Sequence, residues 1–151
     1  EPMGVVAVSC PDEKGILGFV TQVIPLIAGG NTCVVLASKS NPISPITFGE
    51  VLATSDVPGG IINILTGDLT ELQEHFASHM DVNAVLLSNV DKETVKEVQL
   101  KAIDNLKRVI VRECKSWEKA EHETPYYIND FQEVKTTWHP IEKITAAGSG
   151  Y

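Results

Sequence analysis

Positively charged residues are scarce in this sequence. Its 151 residues include 12 lysines and arginines against 20 aspartates and glutamates, which gives a formal net charge of −8. Nucleic acids and anionic membrane surfaces both repel a protein with such an excess of negative charge. The composition therefore predicts no nucleic-acid partner and no membrane partner.

Long apolar runs and paired cysteines are also missing. No run of roughly 18 or more apolar residues occurs, so the sequence predicts no membrane-spanning helix. The three cysteines, Cys10, Cys33 and Cys114, are odd in number, and two lie in apolar runs, which is typical of reduced, buried thiols in a cytoplasmic protein. The sequence begins at Glu1 without a secretory signal pattern, and we interpret it as a piece of a longer chain.

Short apolar, β-branched segments alternate with longer segments of helical periodicity. Strands that are apolar throughout indicate a parallel sheet with helices on both faces, because only a sheet buried on both sides favours unbroken apolar strands. Ser44 and Asp91 are candidate N-caps. Strands are predicted over residues 5–10, 33–37, 61–65, 84–88 and 108–113, and helices over 15–28, 46–54, 69–79 and 92–106.

Beyond residue 114 this alternation stops. Residues 115–130 are polar, charged and aromatic, and are interpreted as a linker, whereas 131–139 alternates as a strand does and 142–151 is predicted to be a frayed end. The predicted division is therefore 1–114, 115–130 and 131–151. The aromatic residues of the linker, Trp117, Tyr126 and Tyr127, form either a docking patch or a plug over the sheet edge, and the sequence leaves both open.

Motifs along most of the chain occur in a characteristic order. They are E-P-M-G-V-V at 1–6, A-G-G-N-T at 28–32, P-G-G-I-I-N-I-L-T-G at 58–67, H-M-D-V at 79–82, L-K-R-V at 106–109 and F-Q-E-V-K-T-T-W at 131–138. Together they resemble the coenzyme-binding domain and the C-terminal oligomerisation strand of the aldehyde dehydrogenase superfamily. The resemblance implies an α/β fold with a Rossmann-like parallel five-stranded sheet and an extra C-terminal strand.

After the first two strands this sequence departs from the family pattern. Active members have P-W-N-F-P after the first strand, and its Asn helps to form the oxyanion hole. Glu13 stands at that position here, and a carboxylate cannot donate a hydrogen bond to a developing oxyanion. The family's K-P-S-E holds the adenosine ribose through its Lys and Glu, whose positions are Ala37 and Ser40 here. Lys39 is interpreted as a solvated loop charge.

The segments after the fourth strand and within the fifth depart as well. The family's G-S-T-x-x-G contacts the coenzyme pyrophosphate at a helix N-terminus. Here the segment starts Asn89-Val90-Asp91, and the Asp91 carboxylate is predicted to cap the helix instead. Arg112 stands where the family has its general-base Glu. Cys114 aligns with a glycine, and the domain that carries the nucleophilic Cys is missing from this sequence.

These departures predict that the chain is not an enzyme and holds no cofactor. The layout is similar to the second, non-catalytic copy at the C-terminal end of the double-module members, aldehyde dehydrogenase family 16. We therefore predict a module for oligomerisation or protein interaction within a longer aldehyde dehydrogenase chain. Residual NAD(P) binding and support of an active module in trans are the alternatives. The expected partner is a second copy or an active aldehyde dehydrogenase module, and the predicted interface residues are Phe131, Val134, Lys135, Thr136, Thr137 and Trp138.

Two further groups of residues are interpreted as structural. His75 and His79 are spaced to share a helix face, as metal ligands can be, but no third ligand is near in sequence. Cys10 lies at the carboxyl end of the first strand, where such sheets bind ligands, and is predicted to be a buried packing thiol.

Overall fold

The fold is built on one parallel sheet. A computed structural model of the protein describes residues 1–139. Within that range the strands form a five-stranded sheet in which every pair is parallel, which confirms the predicted α/β fold class. The strands are β1 (Val5–Ser9), β2 (Thr32–Leu36), β3 (Ile62–Leu65), β4 (Ala84–Ser88) and β5 (Arg108–Arg112), and their spatial order is β3-β2-β1-β4-β5.

Helices connect the strands and cover both faces of the sheet. They are α1 (Gly15–Ala28), α2 (Ile43–Ala53), α3 (Leu69–Ser78), α4 (Lys92–Ala102) and the short α5 (Tyr126–Asn129), with 3-10 turns at Ile103–Asn105 and Ala120–His122. Helix α1 runs through Pro25 and ends at a glycine pair, where Gly30 has a φ of 85° that a side chain would disfavour.

The core is divided by the sheet into two layers. Along β1, Val6 and Val8 point to the face covered by α1, where they pack with Phe19 of that helix. Ala7 between them points to the opposite face, where it packs with Phe76 of α3 and Val98 of α4. All three β1 side chains are fully buried, which explains why successive positions of this strand are apolar.

Two helices differ from their predicted bounds. Helix α2 begins at Ile43 after Pro42, and no side chain caps it, so the predicted cap at Ser44 is wrong. The fixed φ of proline suits a helix start, and the helix begins three residues before the predicted residue 46. Helix α4 ends at Ala102 rather than at 106, because the chain tightens into a 3-10 turn and leaves it through Leu106 with a φ of 55°.

The predicted C-terminal strand forms only one antiparallel bridge, between Pro2 and Gln132. Residues 133–139 have no regular secondary structure. A strand needs a continuous partner edge, and the partner offered here includes a proline, which lacks an N–H group to donate. The predicted frayed end, 142–151, lies outside the described residues.

Helix length bears on the membrane prediction. Among residues 1–139, none of the helices combines the length and the apolarity that a membrane span requires. The cytoplasmic location stays a prediction.

Candidate functional site

A polar crevice opens at the carboxyl ends of β1, β2 and β4. Between β1 and β4 the chain order of the sheet reverses, and ligands of open α/β sheets bind at such a point. The crevice has a volume of about 220 Å³ and is lined by Ser9, Asp12, Ala37, Lys39, Asp68 and Asn89, among others. Four of the six positions at which the sequence departs from the family's coenzyme and catalytic residues lie here, namely Glu13, Ala37, Asn89 and Val90.

Asp12 organises the loop that follows β2. Its Oδ1 accepts hydrogen bonds from the backbone N–H groups of Lys39 (2.6 Å) and Ser40 (3.2 Å) and from the Ser38 hydroxyl (3.1 Å). The Ser40 hydroxyl donates to the Asp12 carbonyl oxygen at 3.0 Å. Ala37 is buried at the end of the strand. The Asp12 carboxylate therefore accepts the hydrogen bonds that the N–H groups of this loop would otherwise donate to a bound anion.

Lys39 is paired within the crevice. Its Nζ binds Asp68, the N-cap of α3, whose Oδ1 also accepts from the Thr70 N–H at 3.2 Å. The hydrogen bond from Lys39, followed by that from Thr70, lowers the pKa of Asp68 to about 2, and the same pair raises the pKa of Lys39. Lys39 is 67% exposed, which agrees with its interpretation as a solvated loop charge, although it is paired with Asp68.

Asn89 joins the crevice to the segment after β5. It adopts a φ of 52°, which asparagine tolerates better than most residues. Its side-chain amide donates to Glu13 Oε2 (3.0 Å) and to the Cys114 carbonyl (2.9 Å), and its Oδ1 accepts from the Cys114 N–H (2.8 Å). Val90 packs on the α3–α4 side of the core. Glu13 and Asn89 thus bind each other.

The N-terminus of α4 is capped as predicted. Asp91 Oδ1 accepts from the Glu93 and Thr94 N–H groups, each at 2.9 Å, and these bonds, that from Thr94 first, lower the pKa of the carboxyl. With the amides of residues 39 and 40 bound to Asp12, neither position offers free N–H groups to a diphosphate. The residues present do not fit a dinucleotide pyrophosphate held in this way.

Arg112, at the family's general-base position, is buried away from the crevice. It donates to Gln22 Oε1 (2.9 Å) and Asp130 Oδ2 (2.8 Å), and its guanidinium lies 3.6 Å from the ring centroid of Tyr127. Only 6% of its side chain is exposed. Arg112 therefore ties β5 to α1 and to the residues around α5.

The segment from residue 115 to 131, here called the cap, covers this arginine. Trp117 is buried and Tyr127 lies under Arg112, so these two act as a plug, whereas Tyr126 is exposed. Sequence reasoning missed α5, because a polar segment with one proline gave no helical periodicity. The division of the chain at 114 and 130 stays a prediction.

Phe131 is a core residue rather than a surface contact. It is fully buried among the residues of the α1 face, and its carbonyl accepts from the Met3 N–H (3.3 Å) and Asn31 Nδ2 (3.1 Å). Its placement in the predicted interface is therefore wrong, because strand alternation alone cannot distinguish a side chain that seeks a partner from one that seeks the core of its own domain.

The residues after this anchor are exposed. Val134 is 95% and Trp138 91% exposed, while Lys135 pairs with Glu1. We call residues 133–138 the exposed tail; it includes Thr136 and Thr137, also exposed. The anchor and the tail are joined at Glu133, whose N–H donates to the Glu1 carbonyl at 2.7 Å.

Three further features were candidates for ligand binding. Within residues 1–139, no group of three His, Cys, Asp or Glu residues has a geometry for a metal, and His79 instead accepts from the Asp81 N–H at 3.3 Å. Cys10 is buried, as predicted, and burial raises the pKa of its thiol. A groove of about 400 Å³ between α2 and β3 is larger than the crevice, but apolar residues and glycines line it throughout.

Comparison with known proteins agrees with the fold. The sequence profile described as the aldehyde dehydrogenase family matches residues 1–116. The chain is 33% identical to aldehyde dehydrogenase family 2 member C4 of Arabidopsis thaliana over 109 residues, covering 72% of this chain and 22% of that protein. It is 31% identical to hydroxyisobutyraldehyde dehydrogenase of Mycolicibacterium austroafricanum over 98 residues, covering 65% of this chain and 19% of that protein.

Solved structures show the same relationship. A betaine aldehyde dehydrogenase from Staphylococcus aureus, solved in complex with NAD+, superposes with a TM-score of 0.69 at 26% identity and covers 75% of this chain and 22% of that one. The chain therefore spans about a fifth of the length of the proteins that it matches.

The comparisons overturn one prediction. The expectation that the chain is not an enzyme is wrong, because the matched relatives and structural neighbours are aldehyde dehydrogenases, which are enzymes, and nothing in them shows a loss of catalysis. The substitutions at Glu13, Ala37, Ser40, Asn89 and Arg112 are facts of the sequence, but their consequence for catalysis is not established by these matches.

Proposed function

This chain belongs to the aldehyde dehydrogenase family, and we propose that it serves a longer aldehyde dehydrogenase chain as a domain for assembly, docking through its exposed tail. The docking partner is a second copy of the domain, with an active aldehyde dehydrogenase module as the alternative partner. The short span of the chain relative to its relatives supports its place in a longer chain.

The observation that carries the proposal is the contrast between the fixed base of the tail and its exposed end. At the base, Arg108 donates to the carbonyl oxygens of Asp130 (2.8 Å) and Gln132 (3.0 Å), and its other amino group lies 2.8 Å from Glu133 Oε1. The ordering cost of the tail is therefore partly met before any partner binds.

The end of the tail has the composition of a contact surface. Val134 and Trp138 expose almost all of their apolar surface, and a buried tryptophan is among the side chains that contribute most at protein interfaces. Residues 134–139 are not paired in a sheet with the described part of the chain, so their backbone groups are open to a strand edge of a partner, as in strand addition. Lys135 pairs with Glu1, and the apolar side chains of Val134 and Trp138 remain exposed.

Light scattering on the 151-residue chain tests the proposal. Truncation after Glu133 removes the tail and keeps Phe131 in the core, so a change in mass reflects the tail rather than unfolding. We expect the intact chain to be a dimer or larger and the truncated chain to be a monomer. A chain with Val134→Ser and Trp138→Ser should also be a monomer.

Met80→Ser is the matched control, because Met80 is 71% exposed but lies outside the tail. It should leave the mass unchanged. If the intact chain is a monomer, alone and when mixed with an active aldehyde dehydrogenase module, the proposal is wrong. If the mass increases only in the mixture, the partner is the active module. If truncation after Glu133 lowers the activity of that module without preventing assembly, the tail supports the active module in trans.

Binding of NAD or NADP is the second candidate function. It is favoured by the superposition on a neighbour solved with NAD+, whereas the bound amides of the crevice oppose it. Calorimetric titration of the chain with each nucleotide decides the question. A dissociation constant below about 1 mM would support a nucleotide site.

A further inference from the structure

Cys114, His122 and Tyr127 form a connected chain of side chains in the cap, away from the crevice and the exposed tail. Cys114 Sγ lies 2.8 Å from His122 Nε2, and His122 Nδ1 lies 2.8 Å from the Tyr127 hydroxyl. The three residues belong to the end of β5, a 3-10 turn and α5, so tertiary packing rather than sequence spacing brings them together.

This arrangement has the geometry of an activated nucleophile. A thiol within hydrogen-bond distance of an imidazole, which a third group orients, is the general pattern of such sites. The imidazole is held firmly: only 12% of its side chain is exposed, and the Trp117 ring lies 5.1 Å from it, centroid to centroid.

A backbone amide also contacts the sulfur. The Ser116 N–H donates to Cys114 Sγ at 3.2 Å, and a backbone donor of this kind stabilises negative charge on the sulfur. Unlike the other two cysteines, Cys114 is only partly buried.

The charged groups around the cluster are few. Glu121 Oε1 lies 3.6 Å from His122 Nε2, and Arg112 stacks on the Tyr127 ring, with Asp130 bound to Arg112. Burial raises the pKa of Tyr127, which keeps the phenol neutral at neutral pH and able to serve as a hydrogen-bond partner of the imidazole.

We propose that Cys114 is a reactive thiol, assisted by His122 and positioned through Tyr127, that is modified by small α,β-unsaturated carbonyl compounds. The Cys114 proton passes to His122 Nε2, and the sulfur electron pair forms an S–C bond at the β-carbon. The carbon–carbon π bond breaks, and its electron pair takes the proton from His122 at the α-carbon. The product is a thioether, no group leaves, and no oxidant or reductant is consumed.

Acrylamide alkylation of the 151-residue chain, followed by peptide mass spectrometry, tests the proposal. We expect Cys114 in the folded chain to react at pH 7 about five- to ten-fold faster than the same cysteine in the urea-unfolded chain, because His122 is close enough to take the thiol proton only when the chain is folded. Cys10 and Cys33 are internal controls, since burial raises the pKa of Cys33 to about 12 and that of Cys10 further. Both should stay unmodified while the chain is folded.

Two variants separate activation from packing. His122→Asn should reduce the rate at pH 7 to that of the unfolded chain and should lower the ratio of the rate at pH 6.5 to the rate at pH 9. Tyr127→Phe keeps the ring under Arg112, removes only the hydroxyl, and should give an intermediate rate. Equal rates in the folded and unfolded chain would overturn the proposal, as would a pH ratio that neither variant changes. If His122→Asn does not fold, Tyr127→Phe alone decides by the same ratio.

Discussion

Two ion pairs, one in the crevice and one under the cap, place the same kinds of group in different surroundings. Lys39 and Asp68 pair at the rim of the crevice with 67% and 34% of their side chains exposed. Arg112 and Asp130 pair at 2.8 Å with only 6% of the arginine exposed. The two carboxylates are equally exposed, at 34% each, so the pairs differ in their cations. Water therefore screens the first pair more than the second.

The regions around these pairs differ in the same way. In the crevice, carboxylates bind the amides of loops and helix starts, as Asp12 does at residues 39 and 40 and Asp91 does at α4. Under the cap, Arg112 joins segments far apart in sequence, reaching Gln22 in α1. The crevice therefore shapes local loops, while the cap is part of the core of the domain.

Loss of the cap's apolar anchor should have the largest effect. Phe131→Ala removes a fully buried ring from the α1 face of the core, and such substitutions destabilise by about 3–5 kcal/mol. Urea unfolding followed by circular dichroism measures the change. Val134→Ala, at a position that is 95% exposed, is the control and should remain within about 0.5 kcal/mol of the parent chain. Equal effects of the two substitutions would contradict the assignment of Phe131 to the core.

The second-largest effect on stability should come from loss of Arg112, the buried cation under the cap. Arg112→Met keeps much of the apolar volume but leaves Gln22 and Asp130 without their donor, which costs about 2–3 kcal/mol because Gln22 is fully buried and Asp130 is partly open to water. Arg108→Met is the matched control on the same strand, with 33% of its side chain exposed, and should cost about 1 kcal/mol. If the Arg112→Met and Arg108→Met variants unfold at the same urea concentration, the prediction is wrong.

The parts of the fold that the sequence predicts are those whose signal is local. The apolar strand over Ala84–Ser88 and the N-cap residue of α4, Asp91, are confirmed. Continuous hydrophobicity and a carboxylate before a helix each act within a few residues, so both signals are local. The Rossmann-like order of the strands came from the resemblance and is also confirmed.

The parts that it does not predict depend on distant contacts. Nothing near Arg112 in sequence indicates that Gln22 and Tyr127 surround it. Apolar and polar residues alternate around Phe131. The same alternation is expected for an interface strand and for a segment that places one aromatic ring in the core of its own domain. The pairing of Cys114 with His122 likewise arises from a turn and a short helix that have no periodicity of their own.

Loss of the Lys39–Asp68 ion pair should change the stability least, and the pH dependence of unfolding is the most sensitive measurement of it. The pKa of Asp68 is lowered from 3.8 to about 2 in the folded protein, first by the hydrogen bond from Lys39. A carboxyl with a depressed folded pKa adds stability above its unfolded pKa and loses it as the pH falls toward its folded pKa. The contribution of Asp68 should therefore be complete above about pH 4 and disappear between about pH 4 and 2.

Lys39→Gln removes the cation but keeps Asp68 as the N-cap of α3, so the acid unfolding curve should become less steep between pH 4 and 2. The stability lost at pH 7 should equal the part of the pH dependence that disappears. Asp68→Asn keeps a residue that can cap and removes the titrating group, and it should flatten the same part of the curve further, because the Thr70 N–H also lowers the pKa of Asp68. Added salt should reduce the difference between Lys39→Gln and the parent chain, since an exposed pair is screened, whereas the loss in Arg112→Met should persist in salt. A salt-insensitive Lys39 effect would mean that the two pairs do not differ in the way that their exposure implies.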